Sequence, residues 1–346
     1  MALLIDEKSV AALLTPADAF ARVEEAFRLF AEGTAVNEPR HRSASAGTTV
    51  NVMWAMAPTL NVVAVKSYPV VRSDVSQAAV ILVTLFSHST GQCLGIVQGD
   101  LLGQRRTAAA TALATRVLAR PDSSRLAVFG TGYQATGQVH AVAAALPGLR
   151  AVNVVGRTPE RRDAFIAALS SQFPHLEWAA SSAEEAVRGA DVVVTATAAT
   201  EPLFDGAWLQ PGTHVNAIGS NQAHSRELDA TTLGRAARVV VDSRVVAALE
   251  GGDLLVNRFD VGRAVELGDV LIGTAAGRED SQEITVFDSH GLAIQDLVCG
   301  LHVLRAAESL GQGESVDWPH APLVPIPVAL PVSRRGDVST TDFHVI

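Results

Sequence analysis

Apolar and polar positions follow two regimes along this chain. Up to about residue 118 the periods are mixed. From Pro16 to Phe30 the apolar residues Ala19, Val23, Ala26, Phe27 and Phe30 recur at helical spacing, and Gly33 closes the run. Thr49 to Met53, Val62 to Lys66, Ala79 to Phe86 and Cys93 to Val97 read as strands, with a turn at Thr90-Gly91. An alanine-rich helix then opens at Arg105-Arg106-Thr107 and runs to about Ala119, ahead of Pro121. From Leu126 onward, short β-branched runs at 126–129, 152–155, 176–179, 191–197, 214–218, 238–241 and 284–287 follow one another, with helical stretches at 134–146, 160–172, 183–189 and 244–250. Such runs predict buried parallel strands of a doubly wound sheet from about 119 to 303. Ala293 to Leu310 reads as a helix that leaves that sheet and rejoins the first domain. Five prolines after Asp317 (Pro319, Pro322, Pro325, Pro327 and Pro331) predict an extended or disordered tail. The expected fold class is α/β, a Rossmann-type doubly wound parallel sheet (119–303) inserted into a split α+β domain (1–118 and 304–346).

The stretch from Arg125 to Arg162 carries the clearest chemistry. The strand Leu126–Phe129 leads directly into Gly130-Thr131-Gly132-Tyr133-Gln134-Ala135, a helix and a second strand, Val152–Val155. A Gly-x-Gly-x-x-Ala turn in that context is the dinucleotide fingerprint. Gly130 permits the tight turn, Gly132 lets backbone N–H groups approach a pyrophosphate, and Ala135 lets the helix pack on the sheet. An acidic residue at the end of the second strand would favour NAD(H). This chain has Gly156-Arg157-Thr158 there, followed by Arg161 and Arg162. A guanidinium and a hydroxyl suit a 2′-phosphate, so NADP(H) is preferred and NAD(H) remains possible.

Ligands of open α/β sheets lie beyond the carboxyl ends of the strands. That rule adds Thr195-Ala196-Thr197, Gly219-Ser220 and Ser289-His290 to the nucleotide path. Adjacent residues at a strand end point to opposite sides, so Asp288-Ser289-His290 cannot form a hydrolytic relay among themselves. No Gly-x-Ser-x-Gly elbow is present, and the ten histidines show no metal-binding spacing, so no metal is expected.

Composition narrows the partners. The 346 residues carry a net charge of −9 and no basic block, which argues against nucleic acid. Two cysteines, Cys93 and Cys299, give no disulfide framework. The N-terminus lacks the pattern of a secretory signal and no run is long enough to span a bilayer, so the expectation is a soluble cytoplasmic protein. In the first domain Arg40, Arg42, Lys66, Arg105 and Arg106 lie among apolar or small residues. Arg106, read at a helix start, would be unfavourably placed unless an anion such as a carboxylate joined it.

These motifs resemble the ornithine cyclodeaminase/μ-crystallin family over roughly residues 1–310. The likeness rests on Arg106-Thr107-Ala108-Ala109 with Leu118-Ala119-Arg120, on Gly130-Thr131-Gly132-x-Gln134-Ala135, and on Asn216-Ala217-Ile218-Gly219. Arg226-Glu227-Leu228-Asp229 and Phe287-x-Ser289-x-Gly291-Leu292-Ala293-x-x-Asp296 complete it. The resemblance implies a nicotinamide-dependent enzyme of small α-amino or α-imino acids, and a homodimer formed through the sheet of the first domain, which would also bind substrate. It implies a substrate carboxylate held by Arg40 (with Arg42 as the alternative), Lys66 and Arg106, with Lys66 and Asp229 as catalytic residues. Asp229 would lie beside the reacting nitrogen; read from its neighbours alone, it is also a helix N-cap before Ala230. Ser289 and His290 would approach the nicotinamide.

The chain departs from the family pattern at Met53-Trp54-Ala55, after Pro69, and at His290. Arg72 and His290 could favour a second acidic group on the substrate. The expected activity is an NAD(P)H-dependent reductase or dehydrogenase of a small α-imino/α-amino acid. The alternatives are an ornithine cyclodeaminase-type lyase and a non-catalytic, μ-crystallin-like NADPH-binding protein.

Overall fold

Two sheets share a common long helix. The computed structural model describes residues 1–71, 80–219 and 221–317. Arg72, Ser220 and the proline-bearing tail fall outside the described residues.

The chain begins with β1 (Ala2–Ile5), α1 (Glu7–Leu13) and α2 (Pro16–Ala31). Thr15 and Asp18 form a capping box at the start of α2, with Pro16 at its first position. Next come β2 (Val36–Ser45), β3 (Thr48–Ala57), β4 (Val62–Val71), β5 (Leu82–Ser87), β6 (Cys93–Gln98) and α3 (Asp100–Leu118). The sheet order is β1-β6-β5-β4-β3-β2, antiparallel except for the β1–β6 pair. Residues alternate across it: Met53, Ala55, Ala57, Ala64, Val83, Leu85 and Val97 are buried in one core. Pattern reading missed β1 and β2. Pro39 donates no ladder bond, and β2 accommodates it because it is an edge strand whose register shifts between Glu38 and His41.

Helix α3 starts at Asp100, not at Arg105. The Glu7 carboxylate accepts from the N–H groups of Asp100 (2.7 Å) and Leu101 (3.1 Å) and satisfies that start from another element. Arg106 therefore lies in the second turn, and the helix-start argument for its anion does not hold.

The second sheet contains β7 (Arg125–Phe129), α4 (Tyr133–Ala145), β8 (Ala151–Val155), α5 (Pro159–Ser170), β9 (Glu177–Ala180), α6 (Ala183–Arg188) and β10 (Val192–Thr195). It continues through β11 (His214–Ala217), α7 (Ala230–Arg235), β12 (Arg238–Val241), α8 (Arg244–Glu250), α9 (Gly252–Val256), β13 (Val265–Glu266), α10 (Leu267–Leu271) and β14 (Thr285–Asp288). Its order is β13-β12-β14-β11-β10-β7-β8-β9 and every pairing is parallel. The strand order reverses between β7 and β10, where a ligand crevice is expected. This is the predicted doubly wound α/β fold.

Helix α11 (Ala293–Leu310) returns to cover the first sheet, and β15 (Glu314–Val316) pairs antiparallel with β1. Residues 1–316 form one compact unit. Helix α3 is the shared element. Gly137 of α4 lets it approach Gln104 and Ala108 closely. At its other end Asn216 donates to Thr115 Oγ1 (3.1 Å), and Thr285 Oγ1 donates to the Leu118 carbonyl (2.9 Å). His214 joins Thr285 through Nδ1 (2.9 Å) and Asn216 through Nε2 (3.1 Å).

Candidate active site

Beyond the ends of β7, β8 and β10 lies a cavity of about 760 Å³. Gly130 sits at φ +109°, and a Cβ there would meet the Ala196 carbonyl oxygen. Only glycine fits that turn. A Cβ at Gly132 would meet open space, and α4 begins after it without a side-chain cap. Its first N–H groups can therefore serve an anion. Thr131, Gln134, Arg157, Thr158, Arg161, Ala196, Thr197, Ser289 and His290 line the same cavity as Gly130 and Gly132. Ala135 and Thr195 do not line it; both are fully buried behind it, Ala135 in the helix–sheet core. Arg157 and Arg161 are exposed and have no acidic partner among the described residues. The glycine turn, the uncapped helix and two free guanidinium groups fit a dinucleotide phosphate chain.

Arg106 brings a different chemistry to this cavity. Its Nη1 donates to Gln295 Oε1 (3.0 Å), and its Nε lies 3.4 Å from Asp296 Oδ1. Lys66 is buried behind it and donates to the same Asp296 oxygen (2.8 Å). Burial lowers the Lys66 amine to about 8, against the attraction of Asp296. Burial raises the Asp296 carboxyl, but Lys66 and Arg106 outweigh it and hold the group below its ordinary value.

Arg40 and Arg42 lie two residues apart on β2 and both reach Glu250. Arg40 forms a buried ion pair with it and donates to the His290 carbonyl (3.1 Å). Arg42 is partly exposed and donates to Glu250 (3.4 Å), to the Asn221 carbonyl (2.7 Å) and to Asn51 Oδ1 (3.2 Å). Of the three predicted carboxylate ligands, only Arg106 faces the cavity; Arg40 and Lys66 stand behind it.

Asp229 needs correction as a catalytic residue. It is the N-cap of α7, with its oxygens accepting from Thr232 N–H (2.7 Å) and Gly206 N–H (3.0 Å), and it does not line the cavity. The acid that shapes the cavity is Glu227, two residues earlier. It accepts from Thr197 N–H (2.7 Å), Thr197 Oγ1 (2.6 Å) and Gly219 N–H (2.8 Å), tying together the ends of β10 and β11. Asp253 fixes Glu227 by accepting from the N–H groups of Glu227 (2.7 Å) and Leu228 (2.6 Å). Burial raises both carboxyl groups, Asp253 well above its ordinary value.

His290 also differs from expectation, because its ring is fully buried. Nε2 lies 3.4 Å from Asp288 Oδ2. Burial works against its proton, but Asp288, Asp242 and Glu250 outweigh that and raise its affinity. A ring so enclosed is not available to a second acidic group of a substrate. Sequence reading missed Asn221 on the cavity wall and Asp242 and Glu250 behind it. Asp242 had one sequence signal, an acid directly after a strand of the parallel sheet.

A parallel sheet with a dinucleotide cradle, and an arginine in the same cavity, define a Rossmann-type NAD(P)-dependent oxidoreductase. The chain belongs to the ornithine cyclodeaminase/mu-crystallin family, whose model matches residues 2–309. A Delta(1)-pyrroline-2-carboxylate reductase of Bacillus cereus is 36% identical over 242 residues, covering 68% of this chain and 74% of the relative. The solved Thermococcus litoralis Delta(1)-pyrroline-2-carboxylate reductase, in complex with NADH and L-proline, superposes with a TM-score of 0.86 at 28% identity, covering 91% of this chain and all of that one. An archaeal alanine dehydrogenase dimer with bound NAD gives a TM-score of 0.86 at 29% identity, over 92% of this chain and 99% of that one. No helix among the described residues is long and apolar enough to cross a membrane.

Proposed function

We propose that the protein reduces the C=N bond of a small α-imino acid, with NADPH preferred over NADH. One observation carries this reading: Arg106 shares a single cavity with the glycine cradle. Bound NADPH supplies the hydride. Arg106 would hold the substrate carboxylate by charge-assisted bonds and so fix the imine carbon for transfer. Arg40 and Lys66 add positive charge behind it. Lys66 Nζ, protonated below about pH 8 and bound to the same Asp296 oxygen as Arg106, is the proton donor in this reading. Arg157, Thr158 and Arg161 would take the 2′-phosphate.

In this reading residues 1–118 and 304–346 bind substrate and dimerise, and residues 119–303 bind the dinucleotide. Trp54, Val65, Thr84 and Ile96 form one cross-strand row on the face of the first sheet opposite the core, and all are only partly covered. That face, together with the dimer of the alanine dehydrogenase, supports a homodimer formed through this sheet. Two free cysteines, Cys93 and Cys299, fit a cytoplasmic setting.

The test is oxidation of NADPH and NADH with Δ1-pyrroline-2-carboxylate and larger cyclic ketimines, beside ammonia release from ornithine with NAD+. Ketimine-dependent NADPH oxidation is the expected result. Ammonia release without net cofactor turnover would replace the reading with the cyclodeaminase one, and tight NADPH binding with no turnover would leave a binding protein.

A further inference from the structure

Asp242 follows β12 directly, beside the end of β14, because Val241 and Asp288 are register partners. It is fully buried, and one of its oxygens, Oδ2, accepts three hydrogen bonds from consecutive residues. These come from Ser289 Oγ (2.9 Å), His290 N–H (2.7 Å) and Gly291 N–H (2.6 Å). All three donors belong to cavity-lining residues. The turn so gathered touches both buried arginines. The His290 carbonyl accepts from Arg40 (3.1 Å), and Gly291, at φ +79°, leaves no room for a Cβ because the Arg106 guanidinium fills that space.

We infer that Asp242 is a positioning residue for the substrate-carboxylate clamp. It holds the 289–291 turn where the His290 carbonyl orients Arg40 and the backbone of Gly291 seats Arg106. This rests on the reductase reading given above. The glycine cradle at Gly130 and the rim arginines Arg157 and Arg161, which would hold the phosphates, lie on other elements; only the nicotinamide end would reach this turn. A residue acting in this way moves the affinity for the imino acid much more than that for the dinucleotide.

The experiment combines steady-state kinetics on Δ1-pyrroline-2-carboxylate with hydrogen exchange of the full-length protein, for Asp242→Ala and Asp242→Asn. For Asp242→Ala the KM for the imino acid rises by about tenfold or more, while kcat and the KM for NADPH stay within about threefold. Exchange at the His290 and Gly291 amides rises by about tenfold as their acceptor is lost. Asp242→Asn keeps an oxygen acceptor and brings the KM back to within about threefold of the wild type. A parallel rise in both KM values, or unchanged exchange at the two amides, overturns the proposal.

If Asp242→Ala does not fold, Asp242→Asn carries the test. A neutral amide oxygen accepts weaker bonds, so exchange there still rises by about threefold, and wild-type exchange overturns the inference. A wild-type protein that reduces no imino acid sinks the functional reading instead, and the exchange measurement then decides the role of Asp242.

Discussion

Lys66 and Arg106 meet on a single oxygen: Nζ of Lys66 lies 2.8 Å, and Nε of Arg106 3.4 Å, from Oδ1 of Asp296. Two cations held this close repel one another, and the shared carboxylate makes the arrangement tolerable. All three residues are buried. Removing one member of such a group costs about 3–5 kcal/mol, because the partner charges remain buried without compensation.

Asp296→Asn should therefore lower stability by about 3 kcal/mol in denaturant unfolding. It should also move the alkaline limb of the pH profile. Lys66 loses its proton near pH 8, so activity that uses the ammonium is full below that pH and falls above it. Asp296 supports the charged form, so its loss lowers the Lys66 value further and shifts the limb to lower pH. A kcat/KM profile from pH 6 to 10 checks this; an unmoved limb would remove Lys66 from the proton step.

Arg157→Ala addresses the cofactor. The side chain is exposed on the rim and has no acidic partner among the described residues, so its loss should not unfold the protein. Fluorescence titration should show NADPH binding weakened by about tenfold, or about 1.4 kcal/mol, with NADH little changed. Equal weakening of both cofactors would place Arg157 away from the 2′-phosphate.

Glu227→Gln tests the wall between β10 and β11. One carboxylate oxygen serves Thr197 and the other Gly219 N–H, so an amide must turn its NH₂ toward a donor. A cost of about 1–3 kcal/mol in stability is expected, with weaker NADPH binding. Wild-type binding in a destabilised variant would limit Glu227 to folding.

His214 links acid stability to the contact between α3 and the second sheet. Burial lowers its imidazole from 6.5 to about 3, with the nearby Arg278 charge acting in the same direction. The unfolded chain takes up a proton below pH 6.5 and the native state does not, so stability falls as pH drops from 6.5 toward 3. The slope from this one group is at most about 1.4 kcal/mol per pH unit. Urea unfolding at pH 7 and 5 should show a smaller loss for His214→Gln than for the wild type; an equal loss would assign the acid sensitivity to the buried carboxylates.

The dinucleotide cradle was legible because it is local. Gly130, Gly132 and Ala135 act within six consecutive residues, and strand and helix patterns frame them. The clamp was legible only in part. Its cations stood out among apolar neighbours, but the acids that hold them are distant: Asp296 is 230 positions from Lys66, and Glu250 is 210 from Arg40. Periodicity carries no information about such pairs. Glu227 and Asp229 lie in one short motif, and only tertiary packing decides which turns inward. The start of α3 was misplaced because its cap, Glu7, comes from a separate helix. Strand β2 was missed because Pro39 suppresses the strand pattern, and only its place at the sheet edge makes the proline acceptable.

Helix α3 gives the active site a fixed datum. Arg106 near one end faces the cavity, and Thr115, nine residues on, is moored to Asn216 on the parallel sheet. At 1.5 Å per residue the two stand about 14 Å apart along one rod. The depth of the clamp is thus gauged from the sheet that carries the dinucleotide as well as from the first-domain elements that hold the start of α3. A substitution at the Thr115–Asn216 mooring would act on Arg106 along the helix, and on Lys66 through their shared Asp296 oxygen. The clamp could then be detuned from a distance by mutations that touch neither ligand.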